Sequence, residues 1–168
     1  MGMAYRQVAR RGVLGFELSA PSEVVVTPSG SGVTIAERRG DLVVGEINIR
    51  PFQAALIIDR DGILEEKACE VAAAAGATVA AVPFALPGAT GYRADVALGR
   101  GAALPYIHVL AMADDGGVDG GLLVIVRSAS PEWPAADAIL QSMRLVNRHG
   151  VVHANDGDLH LPVVGPTR

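Results

Sequence analysis

The chain of 168 residues has one cysteine, Cys69, one lysine, Lys67, and an aromatic content of only 4%. A lone cysteine excludes an intramolecular disulfide framework and fits a reducing compartment. Cys69 stands among Ala and Val in helix-patterned text, the setting of a buried, inert thiol. With a single lysine, arginine carries nearly all the positive charge, which reflects genome composition rather than function. The net charge of -4 gives no basic footprint for nucleic acid. Scarce aromatics leave the core to Ala, Val, Leu and Ile, with Phe16, Phe52, Phe84 and Trp133 as its large members. No apolar run reaches the roughly 20 residues that span a bilayer. The stretch Val13–Glu17 after Arg6, Arg10 and Arg11 is too short and interrupted for a signal-peptide core. Arg6 stands where myristoylation of Gly2 would need Ser or Thr. A cytoplasmic protein is the expectation. Met1-Gly2 ahead of Met3 resembles an addition; if it is one, the native start is Met3.

Catalytic signatures are also missing. No serine sits in Gly-x-Ser-x-Gly after a strand; Ser29 and Ser31 come nearest, and they belong to turn text. Gly99-Arg100-Gly101-Ala102-Ala103 is too short for a dinucleotide fingerprint and precedes a strand, not a helix. There is no phosphate loop, paired metal motif or catalytic carboxylate pair.

What is present suits one buried core: half the residues are apolar and 19% are charged, which excludes a disordered chain. The expected organisation is a flexible segment 1–12, a single domain 13–146 and a C-terminal hairpin or tail 147–168. Short strands are expected at Gly15–Ser19, Glu23–Thr27, Val33–Glu37 and Leu42–Arg50, the last ended by Pro51. Residues 52–59 stay ambiguous between strand and helix. A helix is expected over Gly62–Ala75, capped by Asp61 and closed by Gly76, with Leu64, Ala68, Val71, Ala72 and Ala75 as its apolar stripe. Four strands follow, Thr78–Leu86, Gly91–Leu98, Pro105–Ala113 and Gly121–Ala129. Their short Gly- and Asp-rich links predict an antiparallel meander, because parallel neighbours need crossovers of a dozen or more residues. A second helix is expected over 131–146, with Ser130 as N-cap and Pro131 first. Its inward stripe would be Ala135, Ala138, Ile139, Ser142, Met143 and Val146. Asp156-Gly157 between apolar runs predicts a tail hairpin over Val151–Ala154 and Leu159–Val164.

Three local passages carry a family resemblance: Phe16-Glu17-Leu18-Ser19-Ala20-Pro21, Gly88-Ala89-Thr90-Gly91-Tyr92-Arg93-Ala94, and Pro131-Glu132-Trp133-Pro134 followed by Ile139-Leu140-Gln141-Ser142-Met143-Arg144-Leu145. With the order of elements, they resemble the PsbP-like superfamily over about residues 13–146. That superfamily includes DcrB- and LpqN-type envelope proteins and the Eag-type chaperones of type VI secretion. The resemblance implies an α+β fold, a three-layer α/β/α sandwich around an antiparallel sheet. It implies binding, adaptor or chaperone roles without universal catalytic residues. The lack of a signal peptide fits the cytoplasmic chaperones better than the envelope members.

The polar residues within strand text are the site candidates. Glu46, Asn48 and Arg50 alternate along one strand face, a possible rim for a binding surface. Arg93, Asp95, His108 and Arg127 interrupt the apolar meander. They read either as a polar groove on the sheet or as an internal salt bridge with a strand-end histidine. His149, His153 and His160 cluster in the tail, and imidazole suits zinc, copper or nickel. A structural site needs four closed ligands, however, and an exposed hairpin accounts for them more simply. Asp114-Asp115-Gly116-Gly117-Val118-Asp119 lacks the glutamate of a calcium loop. The expectation is a non-enzymatic module that binds a protein or peptide, a secretion-chaperone-like adaptor. It would bind no cofactor, metal or nucleic acid and would be a monomer or homodimer. The alternative is a small-molecule or metal-binding protein, a hydrolase included, using His108 or the tail histidines.

Overall fold

A computed structural model describes residues 5–10, 14–114, 120–147 and 159–160. The elements run β1 (Tyr5–Arg10), β2 (Leu14–Pro21), β3 (Val24–Ser29), β4 (Gly32–Arg39), β5 (Leu42–Gln53), α1 (Leu56–Ala75), β6 (Val82–Leu86), β7 (Ala89–Ala97), β8 (Tyr106–Ala113), β9 (Gly120–Ser128), α2 (Pro134–Ser142), β10 (Arg144–Asn147) and β11 (Leu159–His160). The chain is an α+β protein dominated by antiparallel sheet. Seven strands form the central sheet in the order β3-β4-β5-β9-β8-β7-β6, and β10-β2-β1-β11 form a small sheet. The meander is present as expected: β6, β7, β8 and β9 pair antiparallel in sequence order. Proline stands in both edge strands of the large sheet, Pro28 in β3 and Pro83 in β6. Proline cannot donate to a ladder, so it suits an edge.

Period-2 alternation gives the large sheet two buried faces. On one, Leu64, Ala68 and Ala72 of α1 pack on Ala94, Val96, Ile107, Val109, Ala111 and Ile125. The alanine stripe on α1 lets it approach these strands closely. On the other, Phe16 and Leu18 of β2 and Ile139, Leu140 and Met143 around α2 cover Ile47, Ile49, Leu110, Met112, Val124 and Val126. Each large aliphatic buried this way contributes about 1.5–3 kcal/mol.

Several boundaries differ from the sequence expectation. Tyr5–Arg10 is a strand rather than a loose segment, paired with β2 from Tyr5↔Pro21 to Arg10↔Phe16. Its arginines reach the edge of the large sheet. The Arg6 guanidinium donates to the Val24 carbonyl, and Arg10 Nη2 donates to the Gly30 carbonyl at 2.7 Å. β5 continues through Pro51 to Gln53. The β4 ladder ends at Val33↔Ile49, so Pro51 has a neighbour, β9, on one side only.

Helix α1 begins at Leu56, breaks at Asp59 (φ -157°, ψ 82°) and resumes. The cap is Asp59, not Asp61: its Oδ1 accepts the N–H of Gly62 at 3.1 Å. Gly76 ends the helix at φ 149°, donating to the carbonyls of Ala72 and Ala73. β6 begins at Val82, four residues later than expected.

The closing helix is shorter than 131–146. Trp133, not Ser130, is the N-cap, and Pro134 takes the first helical position. Ala138 is exposed, while Ala136 and Leu140 are buried with Ile139. Met143 is already extended (ψ 137°), and Arg144–Asn147 leave as β10 to pair with β2. Ser142 fixes this ending. Its hydroxyl donates to the Ile139 carbonyl at 2.7 Å and accepts the Ser19 N–H at 2.9 Å, which ties the helix terminus to β2. Of the tail, β11 pairs with β1 through Ala9↔His160 and Arg10↔Leu159. The rest of the expected hairpin lies outside the described residues.

Candidate functional site

The nine residues of α2 extend about 13 Å, whereas seven strands at about 4.8 Å spacing span about 29 Å. The helix therefore covers only part of its face. Between it and strands β6 to β9 lies a groove enclosing about 180 Å³. Its floor is apolar, made by Phe84, Leu86, Leu110, Val126, Trp133 and Leu140. Its sheet wall carries Arg93 and His108; its helix wall carries Glu132, Asp137 and Gln141.

Trp133 is the hinge of the helix wall. Its indole lies on β5 at Gly45, where any Cβ would overlap the ring. Its Nε1 donates to Glu37 Oε1 at 3.0 Å. The side chain is 8% exposed, so a large apolar surface and a satisfied polar tip fix the entry of α2.

The sheet wall is a hydrogen-bonded cluster. Asp95 lies opposite His108 in the β7–β8 register, and Arg93 opposite Leu110. Asp95 Oδ1 receives Arg93 Nε at 2.7 Å and contacts His108 Nδ1 at 2.6 Å. An ionised carboxylate only accepts, so Nδ1 carries the proton. The Arg93 Nη2 contact to the same nitrogen, at 3.4 Å, then joins two donors and is not a hydrogen bond. Burial alone would raise the Asp95 pKa, but the hydrogen bonds from Arg93 and His108 and the attraction to Arg93 outweigh it. The net effect holds the carboxyl below its ordinary value. The Arg93 guanidinium also sits 5.6 Å from the centre of the Phe84 ring, within cation–π range. Arg93, Asp95 and His108 thus form one ion-paired cluster, of which Arg93 and His108 line the groove.

The remaining candidates lie on the opposite face. Ile47 and Ile49 point toward the α2 side, so Glu46, Asn48 and Arg50 of the same strand point toward the α1 side. Arg127 joins them there, opposite Glu46 in the register, with Nη1 3.9 Å from Oε1. Asn48 Nδ2 donates to Thr34 Oγ1 at 3.1 Å. This row does not rim the groove. His149 and His153 lie outside the described residues, and His160 is placed through its backbone pairing with Ala9. Among the described residues no group of three or more His, Cys, Asp or Glu side chains could hold a metal ion.

A second, open depression of about 440 Å³ lies near the start of α1, with Arg60, Asp61, Pro83, Phe84 and Tyr92 around it. Its cation is already used: Arg60 Nη2 donates to Thr90 Oγ1 at 2.8 Å and to the Ala113 carbonyl at 2.9 Å. Arg60 therefore serves to pin α1 to the meander.

Sequence reasoning missed Glu132, Asp137 and Gln141 as site residues, and it placed Phe84 and Trp133 in the core alone. The signal was the Pro131-Glu132-Trp133-Pro134 passage, where two prolines restrict the backbone that leads into α2. Comparison with protein-family models, with curated proteins and with solved structures finds no match. No helix among the described residues is long and apolar enough to cross a membrane.

Proposed function

We propose that the protein is a non-catalytic binding module whose groove receives one large apolar side chain of a protein or peptide partner. The groove's size carries this reading. A volume of about 180 Å³ is close to that of cavities that hold a single benzene ring, about 150 Å³. It falls below the roughly 300–1,000 Å³ typical of small-molecule sites. An apolar floor with polar walls suits a side chain whose backbone stays at the rim. The order of elements supports a PsbP-like three-layer arrangement, with α1 as one outer layer and α2 beside the small sheet as the other. A cytoplasmic, secretion-chaperone-like adaptor that needs no cofactor is the form of this reading that the resemblance favours.

Selection from a random peptide library tests it. Recovered peptides should share a Phe, Leu or Trp, and Gln141→Phe, which adds bulk at the groove mouth, should lose them while keeping its melting temperature. One observation favours the alternative, a small-molecule site or hydrolase: Asp95 orients His108 through Nδ1, as a carboxylate orients a general base. Among the described residues no Ser, Cys or Thr lines the groove as a nucleophile. Hydrolytic turnover in a broad substrate screen that disappears in His108→Ala would replace the binding module with that enzyme.

A further inference from the structure

The two walls of the groove differ in how their charges are met. On the sheet wall Arg93 and Asp95 neutralise one another at 2.7 Å. On the helix wall Glu132 and Asp137 are exposed, and among the described residues neither carboxylate has an ion-pair or hydrogen-bond partner. Glu132 enters a hydrogen bond only through its backbone N–H. Two unmatched negative charges thus stand at the mouth of an apolar cavity that fits one ring.

Resting on the binding-module reading, we infer that the partner is a polypeptide segment in which a large apolar residue is flanked by arginine or lysine. The apolar side chain fills the cavity over Phe84, Leu110 and Leu140. The flanking cation meets Glu132 and Asp137 at the rim. The self-neutralised sheet wall repels neither part. An acidic partner would set its charge against both helix-wall carboxylates, in a chain already at net charge -4. The rim charges steer encounter and orientation, and the cavity supplies the contact that holds.

The only tryptophan of the chain, Trp133, lines the groove, so its fluorescence reports occupancy directly. Three blocked seven-residue peptides, with central Arg-Phe-Arg, Glu-Phe-Glu and Arg-Ala-Arg, are titrated at low and high salt. The Arg-Phe-Arg peptide should bind tightest and weaken as salt rises. Glu132→Gln with Asp137→Asn should weaken it roughly five- to tenfold, the scale of two exposed charge pairs, and should remove most of the salt dependence. Both substitutions are on the surface, and an unchanged melting temperature confirms the fold. Equal binding of Arg-Phe-Arg and Glu-Phe-Glu would overturn the charge preference while leaving the binding module standing. Equal binding of Arg-Ala-Arg and Arg-Phe-Arg would overturn the apolar anchor. Binding of no peptide up to millimolar concentration would overturn both the inference and the binding-module reading beneath it.

Discussion

The indole of Trp133 rests against the backbone of Gly45, 88 positions earlier in the chain, with no room between them for a methyl group. Gly45 pairs with Ser128 on β9, and Ser128 Oγ donates to the Ser130 carbonyl at 2.7 Å. The central sheet and the turn that launches α2 are therefore fixed together at one point. Gly45→Ala forces the ring outward. Overpacking of this kind costs about 1–3 kcal/mol. Urea unfolding should show that loss, and Trp133 emission in the folded state should shift as the ring moves toward solvent.

The kink in α1 separates two neighbouring aspartates. Asp59 caps the helix through the Gly62 N–H, whereas Asp61 makes an exposed pair with Arg60 at 3.1 Å. Asp59→Ala should cost about 0.5–2 kcal/mol, as lost caps do. Asp61→Ala should cost less than about 1 kcal/mol, as exposed pairs do. Parallel denaturation curves separate the two. The reverse order would mean that the helix starts where the residue pattern alone suggested.

The junction of α2 and β2 depends on one hydroxyl. Ser142→Ala leaves the Ser19 N–H, in a part-buried site, without its acceptor. Such an unmet donor costs about 1–3 kcal/mol. Amide exchange at Ser19 should quicken along with the fall in stability.

Asp95 gives the stability a defined acid dependence. Its folded pKa lies below the ordinary 3.8, so the unfolded chain takes up this proton first as pH falls. The resulting stabilisation is complete above about pH 4–5 and disappears as pH drops through the folded value. Melting temperatures from pH 6 to pH 2 should fall more steeply for the wild type than for Asp95→Asn, and the two curves should converge at the acid end. Half-exposure of Asp95 (52%) keeps the effect small. Parallel curves over the whole range would show that Arg93 and His108 do not hold this carboxylate in solution.

The meander was legible because its signals are local. Gly88, Gly99 and Gly101 sit in short links, and the strands on either side of them are largely apolar runs. Helix α1 was legible through Leu64, Ala68 and Ala72 for the same reason. What escaped depends on distant partners. β1 reads as polar text, and its arginines donate to the carbonyls of Val24 on β3 and of Gly30 in the turn that follows it. Arg144–Asn147 continues a helical pattern, and the chain turns off it because Ser142 meets Ser19, 123 positions away. The site was half visible. Arg93, Asp95 and His108 stood out as polar residues in apolar strands, and the register joins them. Glu132, Asp137 and Gln141 look like ordinary helix surface until the sheet is placed opposite them. Glu46, Asn48 and Arg50 showed their shared face in sequence, but not that this face is turned from the groove.

Amide and indole chemical-shift mapping with the Arg-Phe-Arg peptide tests the central claim most directly, since it locates binding on either face of the large sheet. The groove account predicts shifts at Leu86, Arg93, Leu110, Trp133 and Leu140, including the Trp133 indole N–H, with Glu46, Asn48 and Arg50 unmoved. Shifts confined to the Glu46–Asn48–Arg50 row, with Trp133 silent, would contradict it.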